Sequence, residues 1–179
     1  MVLTCALAGG AGAGTPDACE LRFPKPLAHA LLDRFPEYRL PRVDDVPASD
    51  RAWRQSEGGD ACLLAAVADF DGDGSLDVAA VMPSRTEASP LLVAALYRRG
   101  AWDVRSLPFW STTPGRAYVQ PLQPGTYRRT KSVVPDPDSP AERRSVTSSR
   151  IGFVSGTVES TGVAYFYDGG SWIYVWIAN

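Results

Sequence analysis

A chain of 179 residues with 45% apolar and 21% charged side chains is long enough to bury a sizeable core and ordinary in composition for a globular domain. Its formal net charge of −2 argues against a nucleic-acid or anionic-membrane partner. No run approaches the ~20 apolar residues of a membrane-spanning helix, and with His29 as the single histidine and no C-x-x-C pair, zinc is disfavoured.

Residues 1–13 carry no charge and end in Ala11-Gly12-Ala13, an A-x-A-type cleavage site, so they read as a signal peptide with a truncated or misplaced start, the alternative being a disordered apolar tail. Residues 14–179 are then a single domain, periplasmic or secreted. Removing the leader removes Cys5 and leaves an even pair, Cys19 and Cys62. In an oxidising compartment these are expected to bridge, the alternative being two buried thiols. Leu27, Ala28, Leu31, Leu32 and Phe35 recur with a 3.6-residue period, which predicts a short helix from about 26 to 35, stopped by Pro36. His29 lies off that stripe and is expected in solvent. Residues 44–60 form a polar stretch from which Trp53 is expected to pack back on the core.

Between two apolar runs, within a hairpin at 62–82, lies Asp69-Phe70-Asp71-Gly72-Asp73-Gly74-Ser75-Leu76-Asp77. Four carboxylates so close repel one another unless a cation intervenes, and Ca²⁺ takes 6–8 oxygen ligands in flexible geometry. The spacing offers the side chains of Asp69, Asp71, Asp73 and Asp77 and the carbonyl of Ser75, with Gly74 at a sharp turn needing positive φ. Position 12 of the loop is Ala80, where an EF-hand has a bidentate Glu, and the flanks read as strands. A metal-free Asp/Gly turn is the alternative. The stretch from Ala68 to Val81 resembles the FG-GAP and VCBS repeat families. The resemblance implies a calcium loop joining two strands of a propeller blade, and it covers one hairpin.

Leu91–Tyr97 and Ala101–Arg105 read as strands joined by Arg98-Arg99-Gly100. The segment 108–146 is irregular, holding seven of the 15 prolines, with short strands expected around Tyr118-Val119 and Lys131–Val134. Its Arg128, Arg129, Lys131, Arg143 and Arg144 form a basic region, either a solvated loop or a site for an acidic partner. Strands return at Ile151–Val158, Val163–Tyr167 and Trp172–Ile177. Val93-Ala94, Leu96-Tyr97, Gly100 and Trp102 recur as Val163-Ala164, Phe166-Tyr167, Gly170 and Trp172 at a constant offset of 70 residues. An internal duplication of three-stranded units explains this best, the alternative being the coincidence of two ordinary hairpins. The expected fold is mainly β: antiparallel meander sheets, as a sandwich or a partial propeller-like array, with one short N-terminal helix.

No G-x-S-x-G, phosphate-loop or H-E-x-x-H motif occurs, so no catalytic residue is assigned. The last strand places Trp172, Tyr174 and Trp176 on one face, which is either buried against the other sheet or open to a partner. Together with Thr161, Tyr165 and Tyr167 they form the candidate partner-binding surface. Thr161-Gly162-Val163-Ala164-Tyr165 is similar to the S-G-x-x-Y segment of periplasmic lysozyme inhibitors, which implies an exported β-protein that plugs a hydrolase cleft. The expected function is an exported, calcium-stabilised module of the cell envelope that binds a protein or glycan and does no catalysis. The alternatives are a peptidoglycan-hydrolase inhibitor or immunity-type protein, and a calcium-dependent hydrolase.

Overall fold

The computed structural model describes residues 16–56, 59–86, 89–110, 115–157, 160 and 162–177. The proposed leader and Thr161 lie outside these. Short runs of small and β-branched residues build a first meander, β1 (Ala65–Ala68), β2 (Asp77–Met82), β3 (Leu91–Arg98) and β4 (Ala101–Leu107), paired antiparallel in that order. After β5 (Ala117–Leu122) the chain leaves as a two-stranded hairpin, β6 (Gly125–Arg128) and β7 (Ser145–Ser148). It returns in β8 (Gly152–Thr157), β9 (Gly162–Asp168) and β10 (Ser171–Ile177), giving a second antiparallel sheet of order β5-β8-β9-β10. The domain is mainly β, as the alternating patterns require.

The two sheets repeat each other in register. Tyr97 pairs with Trp102 across β3–β4, and Tyr167 pairs with Trp172 across β9–β10. Both hairpins turn through two residues of positive φ, Arg99 (51°) and Gly100 (83°) in one, Gly169 (55°) and Gly170 (95°) in the other. That is the primed turn whose twist matches paired strands.

Packing sets the sense in which the repeats stack. Ala79, Val81, Leu92, Ala94 and Leu96 of the first sheet meet Phe153, Val163, Tyr165 and Tyr174 of the second in one core. The first sheet's opposite face, with Val78, Ala80, Met82, Val93 and Ala95, is covered by Leu27 and Leu31 of helix α1 (Lys25–Arg34). Val93 thus faces the helix, whereas Val163, its counterpart 70 residues on, faces the first sheet. The sheets therefore pack head to tail, face on back. The outer face of the second sheet, with Ala164, Phe166 and Val175, is covered by Tyr127 and Val146 of the β6–β7 hairpin. Edge strands β1 and β5 lie side by side, the Val119 N–H donating to the Leu63 carbonyl at 2.7 Å.

Several boundaries differ from expectation. A second helix, α2 (Ala48–Ser56), occupies the polar stretch, and its Trp53 is 49% exposed instead of packing on the core. The helix is anchored by buried Asp50, which accepts Arg116 Nε at 3.0 Å. Residues 131–134 form no strand and Val134 is 87% exposed; pairing falls instead at β6 and β7. The first strand begins at Ala65, three residues after Cys62. Cys62 bridges Cys19, clamping the N-terminal segment and α1 onto the first sheet.

Candidate metal centre

The acidic loop is a tight connection between β1 and β2, and its own backbone fixes the first carboxylate. Asp69 Oδ1 accepts the N–H groups of Gly72 (2.7 Å) and Asp73 (3.1 Å), and Oδ2 accepts that of Gly74 (2.9 Å). The curl needs positive φ at Gly72 (78°) and Gly74 (88°), which glycine adopts without Cβ strain. Phe70, fully buried, turns inward from the loop and meets Phe153 and Trp172 of the second sheet edge-on. The loop is thus pinned from both sheets.

Asp77, the first residue of β2, is fully buried. Its Oδ2 accepts the Phe70 N–H at 2.9 Å and its Oδ1 the Tyr97 N–H at 2.8 Å. Burial pushes its carboxyl up to about 6; the bonds from Tyr97 and Phe70 pull against that, and the charges of Asp71 and Asp69 add to it. A carboxylate in this position favours a nearby positive charge.

Asp69, Asp71 and Asp77 each bring one oxygen within 4.8 Å of the others. Oxygens bound to one Ca²⁺ at about 2.4 Å are separated by at most about 4.8 Å, so this donor set fits a hard divalent cation. Asp73 stands outside the group. It is exposed, and its Oδ1 accepts the Ser75 N–H at 2.8 Å, which turns the carboxylate onto its own backbone. Ser75 is half-buried. Three of the four expected carboxylates therefore converge.

Sequence reasoning missed a residue that touches this centre. Arg98, at the end of β3, donates from Nε to Asp71 Oδ2, while its Nη1 donates to the Tyr167 hydroxyl at 2.8 Å. Its Cζ lies 4.4 Å over the Tyr167 ring. Arg150 also lies beside the loop, its Nε 2.9 Å from where a Cβ on Gly72 would stand. The four aspartates of the motif announced a need for positive charge, but not which arginine would supply it.

The second meander does not repeat the centre. Phe153 stands opposite Tyr165 as Val78 stands opposite Ala95, so Gly152 occupies the position of Asp77. A Cβ there would come within 2.5 Å of the Tyr165 carbonyl, so that strand start has no room for a side chain.

The aromatic surface also needs correction. Tyr165 is 1% exposed, stacked on Phe153, and its hydroxyl donates to the Pro108 carbonyl at 2.5 Å. Burial pushes that hydroxyl well above the ordinary phenol range. It is core, and cannot meet a partner. The face bearing Trp172, Tyr174 and Trp176 looks into the inter-sheet core, because both faces of the second sheet are covered. Tyr167 and Trp172 are half-buried at the edge of that core, edge-on to each other with centroids 5.4 Å apart. Trp176 is also half-buried and lies against Trp110, which is 40% exposed. In the basic region Arg129 reaches Glu142 at 3.5 Å, while Arg128, Lys131, Arg143 and Arg144 are exposed.

No family model, curated protein or solved structure matches the chain.

Proposed function

We propose that the chain is an exported, calcium-stabilised binding module of the cell envelope that captures a protein or glycan partner without catalysis. The observation that carries this reading is the convergence of Asp69, Asp71 and Asp77 on one point at the joint between the sheets. A cation held there would offset the mutual repulsion of the carboxylates and tie β1, β2 and, through Asp77 and Tyr97, β3 together. Export is supported by the Cys19–Cys62 bridge, and no helix among the described residues is long and apolar enough to cross a membrane. For the partner, the exposed aromatic nearest the last strand is Trp110, with Trp176 beneath it. The lysozyme-inhibitor reading gains nothing from Tyr165, whose ring is buried.

The test is a calorimetric titration of the full chain with CaCl₂, beside melting curves with and without chelator. A ligand that binds only the folded chain raises stability by about 2.7 kcal/mol at a hundredfold excess over Kd. Melting that is the same in chelator and in calcium, with no heat of binding, would sink the metal reading. Capture of an envelope protein or glycan that Trp110→Ala abolishes supports the binding role, and measurable hydrolysis of peptidoglycan or polysaccharide overturns it.

A further inference from the structure

The geometry points to Arg98 as a built-in competitor of the cation for Asp71, a residue that sets the affinity of the centre and couples its occupancy to the C-terminal hairpin. This rests on the calcium reading above. Asp71 is one of the three converging carboxylates, and its side chain is 2% exposed. Water therefore contributes little to neutralising it; Arg98 Nε, on Oδ2, does so instead. A divalent cation drawn to the same carboxylate places two positive charges within a few ångströms of each other in a partly desolvated setting, where Coulomb terms are large. Either the cation binds weakly or the guanidinium gives way.

Arg98 has somewhere to go. Its Nη1 bond to the Tyr167 hydroxyl and its place over the Tyr167 ring use atoms other than the Nε that Asp71 holds. Loss of the Asp71 bond leaves the guanidinium held by the second sheet, on β9. Asp77 and Asp71 hold consecutive residues of β3, Tyr97 through its N–H and Arg98 through its side chain. A change at the carboxylates is therefore felt at the end of β3 and, through Arg98, at Tyr167 and its neighbour Trp172. Because coupling is reciprocal, whatever draws Arg98 from Asp71 toward Tyr167 also favours the cation.

The experiment titrates CaCl₂ into the wild-type chain and into Arg98→Gln, which keeps a polar side chain and removes the charge. The expected result is tighter binding by the variant, by about tenfold. A companion measurement on the wild type follows the Arg98 Nε–H resonance, which Asp71 protects without the ion; at saturating Ca²⁺ its exchange with water is expected to accelerate. Binding by the variant alone also supports the proposal. Equal affinities in both chains, or unchanged protection of Nε–H at saturation should the variant not fold, overturn the competition and leave the calcium reading standing. Absence of binding in both chains overturns the two together.

Discussion

Arg98, the last residue of β3, is clasped to Tyr167 of the facing sheet by a 2.8 Å bond to its hydroxyl and by a guanidinium 4.4 Å above its ring. The contact joins the two repeats at the end where the acidic loop lies. Tyr167→Phe keeps the ring and its edge contact with Trp172 and removes only the hydroxyl. The expected loss is about 0.5–1.5 kcal/mol, the usual net worth of one hydrogen bond. Tyr167→Ala removes the ring as well and is expected to cost roughly 2–3 kcal/mol, short of a fully buried aromatic because this ring is half-buried. Urea unfolding with an unchanged m-value measures both. Equal losses in the two variants would mean that the ring is not packed as described.

The equivalence of the two hairpins gives a stabilising substitution. Arg99 sits at φ 51°, in the place where the second hairpin has Gly169 at φ 55°. The left-handed region costs an L-residue about 1–2 kcal/mol, against the 0.5–1 kcal/mol of extra chain entropy that glycine loses. Arg99→Gly is therefore expected to raise stability by up to about 1 kcal/mol. Gly169→Ala is expected to lower it by about 1 kcal/mol from backbone strain alone, since no atom lies within 4 Å of the added Cβ. Thermal melts of the pair decide it, and the idea fails should Arg99→Gly melt below the wild type.

The repeat was legible because it is local: Tyr, a two-residue turn and Trp are spaced by hairpin geometry alone. The stacking sense was not. Alternation in β10 shows that Trp172, Tyr174 and Trp176 share a face, but whether that face meets solvent depends on the β6–β7 hairpin, which lies in the Pro-rich segment and covers the other side. The helix α2 was hidden for a related reason. Its sequence is mostly polar, and it is fixed by Asp50 and Arg116, 66 residues apart. In the acidic loop the turn at Gly74 followed from the motif. The partner of Asp71 did not, because Arg98 reads locally as part of a turn.

Acid sensitivity is expected at the segment between the helices. Asp45 is desolvated by burial, which raises its pKa, but the Arg39 side chain (Nη1 to Oδ2, 2.8 Å) and the Arg42 N–H (2.7 Å) outweigh this and hold it below the usual range. The folded pKa is thus lower than the unfolded one. The stabilisation it carries is complete above about pH 4, the ordinary Asp value, and is lost as pH falls through the lower folded value. Asp45→Asn should flatten the stability profile in that acid window while lying below the wild type at neutral pH. Urea midpoints measured from pH 2.5 to 6 would refute this if both chains lost stability in parallel.

The Cys19–Cys62 bridge closes a separation of 43 residues that includes both helices. By chain entropy, closing a loop of that length in the unfolded state contributes about 4 kcal/mol, a model-dependent figure. The bridge is buried with Phe23, Leu27 and Leu31 against the first sheet, so the folded state gains further from α1 being held in place. For a domain of this size about 4 kcal/mol corresponds to a fall in Tm of roughly 8–16 °C. The Cys19→Ser/Cys62→Ser double variant is expected to melt lower by that margin, and reductant should bring the wild type down to the variant without moving the variant itself. Hydrogen exchange should then show the amides of α1 losing protection before those of β2 and β3, because the helix rests on the outer face of a sheet whose other face stays packed. A variant that melts with the wild type, or a helix that keeps its protection after reduction, would show that apolar contact alone holds α1 on the sheet.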